Sequence, residues 1–112
     1  MLSWSSTESG TPADIVAIAG DSDAGLPYGA ELIAFTDAVA GLDELALVEA
    51  RTALVTVAGE AFMVDAAAVV ANFEMMTRVA DGTGARFAEQ GAGRRAAISD
   101  KLQINDFTSA RW

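Results

Sequence analysis

Apolar residues recur along this chain at helical spacing, and nowhere do they alternate in the manner of a strand. The clearest stretch is residues 60 to 84, EAFMVDAAAVVANFEMMTRVADGTG, which holds no proline and no glycine before Gly82. Phe62, Val69, Phe73, Met76 and Ala80 fall on one side at separations of 3, 4 or 7 residues, and Ala66 and Val70 widen that stripe. The many alanines and methionines favour helix throughout. Glu60 places a negative charge at the positive end of the helix dipole. Gly82 and Gly84 supply the left-handed backbone that a helix end wants. The pattern predicts a central helix from Glu60 to about Ala80, with its stripe turned into a core or against a partner.

Four further helical segments follow from the same signals. Thr11-Pro12-Ala13-Asp14 reads as a helix start, with Thr11 capping and Pro12 in the first helical position, and the segment ends at Gly20. Pro27 opens a second helix, about Tyr28 to Ala40, whose apolar face is Leu32, Ile33, Phe35, Ala38 and Val39. A third runs from about Asp43 to Ala58 with Leu47, Ala50, Leu54, Val57 and Ala58 as its stripe, and Gly59 ends it. Residues 85 to 89 suggest a helical turn, and Arg94 to about Leu102 a last helix. The expected fold is therefore all-α, one domain over residues 1–112: a bundle of four to five helices. The third and central helices, joined almost at once by Gly59, form a hairpin or a sharp kink and make the centre of the bundle. Residues 1–10 and 104–112 are expected to be irregular.

Composition narrows the function more than it names it. The chain has 112 residues, 52% of them hydrophobic, and a mean hydropathy of +0.30. Its net charge of −9 argues against nucleic acid or an anionic membrane surface as partner. The charge is uneven: residues 1 to 77 hold 12 acids and one base, whereas residues 78 to 112 hold 4 acids and 6 bases. That basic end either docks on an acidic body or is a solvated tail. Cys and His are both absent, which removes thiol nucleophiles, imidazole bases, Cys/His zinc sites and His-ligated haem. No cofactor is implied. MLSWSSTESG lacks the basic and apolar regions of a signal peptide, and the longest apolar run, Ala66 to Ala71, is far short of a membrane span. A cytoplasmic protein is the expectation.

Polar residues within the central stripe are the candidate sites. Asp65 and Asn72 lie seven residues apart, two turns along one side. They either line a small polar pocket between helices or mark the edge of the buried face. Arg78 can bind an anionic group, but Glu74 at i−4 and Asp81 at i+3 make a surface ion pair the plainer role. Asp21-Ser22-Asp23 begins a calcium-loop pattern without the remaining ligands, so no metal site is expected. The glycines at 82, 84, 91 and 93 follow no strand and precede no Lys-Ser/Thr pair, which leaves a phosphate loop unsupported. Phe62, Met63, Phe73 and Met76 offer an adaptable apolar surface for an interface.

The stretch LVTVAGEAFMVDAAAVVANFEMMTRVADGTG, with LPYGAELIAFTDAVA before it and DFTSARW near the end, resembles the C-terminal part of alkylhydroperoxidase-like proteins. That is the AhpD/carboxymuconolactone decarboxylase superfamily, in its actinobacterial variants. The resemblance spans roughly residues 27 to 110 and rests most on Val64–Ala68, Ala71-Asn72-Phe73 and Arg78–Asp81. It implies an all-helical, commonly oligomeric protein. The superfamily's peroxidase branch works through a Cys-x-x-Cys pair with a nearby His and Glu. No position here carries that motif, so no catalytic residue transfers.

Three readings stay open. The first is a non-catalytic helical module acting by self-association, as a dimer or larger, or by partner binding. The second is a binding domain for a small apolar ligand held between helices and oriented by Asp65, Asn72 or Arg78. The third is an enzyme using carboxylates alone, such as Asp65 with Glu74, or residues assembled across a subunit interface. A charge at Phe73 is expected to unfold the chain or dissociate it.

Overall fold

A computed structural model describes residues 8–10, 13, 14, 16, 23–85 and 92–104. Four helices are fully bounded among the described residues: α1 (Gly29–Gly41), α2 (Glu44–Ala58), α3 (Glu60–Thr83) and α4 (Ala92–Leu102). No strand occurs among the described residues, and the all-α expectation holds. The helix expected from Pro12 to Ala19 and the turn at 85 to 89 lie mostly outside the described residues. Packing divides the chain into two compact units, Met1–Met75 and Met76–Trp112, with the division falling inside α3.

The first unit is built on a tight turn between α1 and α2. Leu42 takes the left-handed conformation (φ 56°, ψ 33°) just past the end of α1. Its N–H donates to the Val39 carbonyl (3.4 Å), and the Asp43 N–H donates to that of Ala38 (3.3 Å). This pair of bonds closes the helix end in the Schellman manner. Asp43 then begins α2 with its side chain: Oδ1 accepts from the N–H groups of Leu45 (3.1 Å) and Ala46 (3.0 Å). One residue thus satisfies orphan groups at the end of one helix and the start of the next. The turn is too short to let the helices diverge, so α1 and α2 pack against each other.

Their shared core is Phe35 and Ala38 from α1 with Ala50 and Leu54 from α2, and Leu54 has no exposed surface. Leu32, Val39, Ala46, Leu47 and Ala58 close round it, and α3 adds Met63, Ala66 and Ala67. The apolar faces expected for these two helices are thus largely those observed, although Val57 stays 43% exposed. The hairpin at the centre of the core is α1–α2, and of the two arrangements the sequence allowed for α2 and α3, hairpin or sharp kink, the junction is the kink. The reason is Gly59, whose φ of 89° and ψ of 164° turn the chain sharply between α2 and α3. A glycine with an extended, positive-φ backbone redirects the following helix where a continuous curve would lay it back along α2.

The entry to α1 is unusual. Tyr28, at its N-cap, is left-handed (φ 58°) and makes no side-chain cap. Pro27 consequently stands before the helix and not in its first turn. The preceding loop folds over the helix start: Leu26 N–H donates to the Asp23 carbonyl (3.2 Å) and Gly29 N–H to that of Leu26 (3.0 Å). Gly29 is buried there, and a Cβ at this position would collide with the Asp23 carbonyl.

In the second unit, α3 ends as the sequence suggested, but one glycine later. Gly82 is still helical, and Gly84 (φ 68°) takes the left-handed position. Ala85 N–H reaches the Ala80 carbonyl (3.0 Å) and Gly84 N–H that of Asp81 (3.3 Å), a second Schellman closure. On α4, Arg95, Ile98 and Leu102 are half-buried and Ser99 is buried, positions spaced along one helical face.

Two stability outcomes follow. Leu54→Ala should cost about 2–5 kcal/mol by leaving a cavity in a filled core, whereas Leu45→Ala, at a side chain 84% exposed, should change stability by less than about 0.5 kcal/mol in urea titration. Leu42→Gly should raise stability by roughly 0.5–1 kcal/mol in the same assay, because glycine occupies the left-handed backbone without the clash a Cβ makes.

Candidate functional site

The central helix α3 carries the candidate binding residues Asp65, Asn72 and Arg78 and the candidate interface residues Phe62, Met63, Phe73 and Met76. Its inner face is Met63, Ala66 and Ala67, which pack on the α1–α2 core, together with Val70, which is buried. Of the expected stripe, Ala66 and Val70 are on this face, whereas Phe62, Val69, Phe73 and Met76 point elsewhere, 38%, 56%, 51% and 45% exposed. The buried face is rotated from the expected one by about 100°, the step of a single residue. The reason is volume. Alanine at 66 and 67 lets the axis of α3 approach a core already filled by Leu54 and Phe35, which two phenylalanines would hold apart.

Phe62 is the most covered of the outer set. Its ring meets that of Tyr28 edge to face, with centroids 5.7 Å apart and planes at 73°. Phe73 also makes a contact of its own. More apolar surface lies round the helix at Val64, Met75 and Val79, each more than half exposed. A helix apolar on several sides is normally buried on several sides. Among the described residues, the α1–α2 core takes the Met63, Ala66 and Ala67 face.

Asp65 and Asn72 are exposed. Seven residues bring them within about 20° of one another round the helix, so they share a flank of the outer stripe. Arg78, six residues past Asn72, lies about 120° away and outside that flank. Arg78, Glu74 and Asp81 each have an interaction partner. Asp65 and Glu74 are nine residues apart and so fall on opposite sides of α3, about 180° round. One helix cannot bring that pair together over a substrate. No group of three acidic side chains among the described residues is placed to hold a metal ion. Asp21 and Ser22 lie outside the described residues, and Asp23 is engaged through Oδ1 with the Gly25 N–H (2.9 Å). No helix is long and apolar enough to cross a membrane among the described residues.

The exposed residues that sequence reasoning missed are Leu42 and Leu45, 83% and 84% exposed beside the α1–α2 turn. Their positions gave a signal: Leu42 follows the last residue of one helix, and Leu45 lies off the Leu47–Leu54 stripe of the next. Comparison of the chain with family models, with curated proteins and with solved structures returns no match.

Since Asp65 and Asn72 stand in solvent, Asp65→Asn and Asn72→Ala should each shift the unfolding free energy by no more than about 0.5 kcal/mol. A loss above about 1.5 kcal/mol in urea titration would mean that the two line an enclosed polar site.

Proposed function

We propose that this chain is a non-catalytic helical module that acts by self-association through the outer face of α3. One observation carries the reading: four large apolar side chains, Phe62, Val69, Phe73 and Met76, stand 38% to 56% exposed along a single continuous helix. Exposed apolar residues are ordinary when scattered, but a contiguous row along one face marks an interaction surface. Met76, with Met75 beside it, suits a surface that must adapt to what covers it.

The resemblance to alkylhydroperoxidase-like proteins supports the same reading. In it, the chain is an offshoot of that superfamily that keeps the helical, oligomer-forming part and lacks the redox residues. A homodimer is the smallest assembly that would cover the row.

Native mass spectrometry of the purified protein tests this. A multiple of the 11.6 kDa chain mass is expected, and a bare monomer at tens of micromolar would count against self-association. Val69→Asp and Phe73→Asp should leave the helical circular dichroism in place, since both positions are more than half exposed, while weakening the dimer about 100-fold or more. Loss of helicity in both variants would instead make the row part of the core.

A further inference from the structure

The outer side of α2 carries a second apolar surface, apart from the row on α3 and contained wholly in the first unit. Leu45, Val48, Thr52 and Thr56 succeed one another at steps of three, four and four residues, which sets them within about 80° of each other round the helix. All four are exposed, Leu45 at 84% and Val48 at 53%, and none belongs to the core, whose members Ala50 and Leu54 occupy the opposite side of α2.

The two threonines add to this surface as methyl groups. Thr52 Oγ1 donates to the Val48 carbonyl (2.8 Å) and Thr56 Oγ1 to the Thr52 carbonyl (2.7 Å). Each hydroxyl is thereby spent on the helix's own backbone, and the methyl is the group left to offer outward. Leu42 stands at the N-terminal end of the stripe, 83% exposed on left-handed backbone. So exposed a side chain packs on nothing within the chain, and a strained residue without an internal use points to an external one.

Charge says what can cover this face. Glu44 flanks the stripe on one side and Glu49 on the other, and Asp43 lies at its end; all three are exposed. Arg51, on the flank of Glu44, is the one base against 12 acids in residues 1 to 77. A second copy would bring the same excess of carboxylates against itself, and a net charge of −9 turns away nucleic acid and anionic membrane. A cationic surface meets both the apolar stripe and its acidic rim.

We infer that the outer face of α2, with Leu42 at its end, docks a cationic amphipathic helix of a partner protein. Apolar residues of the partner at helical spacing lie along Leu45, Val48 and the threonine methyls, and Lys or Arg on either side of them meets Glu44 and Glu49. The inference is independent of self-association through α3.

Fluorescence anisotropy on the full chain tests it. The probe is a labelled synthetic helix of about four turns, with Leu at helical spacing on one face and Lys elsewhere; its control carries Glu in place of every Lys. The Lys peptide is expected to bind at micromolar concentration at physiological salt, and the Glu peptide at least about tenfold more weakly. Equal affinity for the two, or binding of neither, overturns the inference. Leu42→Gly, Leu45→Ala and Val48→Ala combined alter exposed side chains only, so the helical circular dichroism should stay, while affinity for the Lys peptide falls about tenfold or more. Unchanged affinity in that variant overturns the inference, and its loss in Phe73→Asp instead would place the peptide on α3. If the unmodified protein is a dimer by native mass and the triple variant a monomer, a second copy covers the face and the inference falls.

Discussion

Asp43 holds the first unit together at its tightest point. Its N–H closes the end of α1 on the Ala38 carbonyl, and its carboxylate opens α2 by accepting from Leu45 and Ala46. Two helices joined through one shared capping residue cannot swing apart, so their facing side chains must meet. Phe35 and Ala38 therefore enclose Leu54 and Ala50, and that contact is where the core forms. Leu42 bears the cost of the geometry, with a branched side chain on left-handed backbone where glycine is the usual choice.

The size of that hairpin limits what it can cover. Helices of 13 and 15 residues offer one face to α3, and α3 is apolar on more than one side. Only the face that fits closest is buried, and alanines fit closest. Met63, Ala66, Ala67 and Val70 go inward, and the aromatic row stays out. Surplus apolar surface is thus a consequence of a small core meeting a long helix.

Without Cys or His, acid and base work would fall to carboxylates. The pair that the sequence offered, Asp65 and Glu74, is separated by the pitch of the helix that carries both. Asp65 and Asn72 do share a flank, but it is a solvent-facing one, beside the apolar row and not beneath it.

Helix boundaries were legible in the sequence because they depend on residues within four positions of each other. Asp43 before an apolar run, Gly59 between two helices and Gly84 after a third are local signals, and each acts where it stands. All-α architecture follows from the same local order. The facing of α1 and α2 was legible too, since each has a single apolar stripe. On α3 periodicity could not choose, because its apolar residues encircle much of the helix and the largest side chains define the most conspicuous stripe. The choice fell to tertiary packing, which rewards close approach over bulk and so turned α3 by about one residue step from the face its phenylalanines suggest.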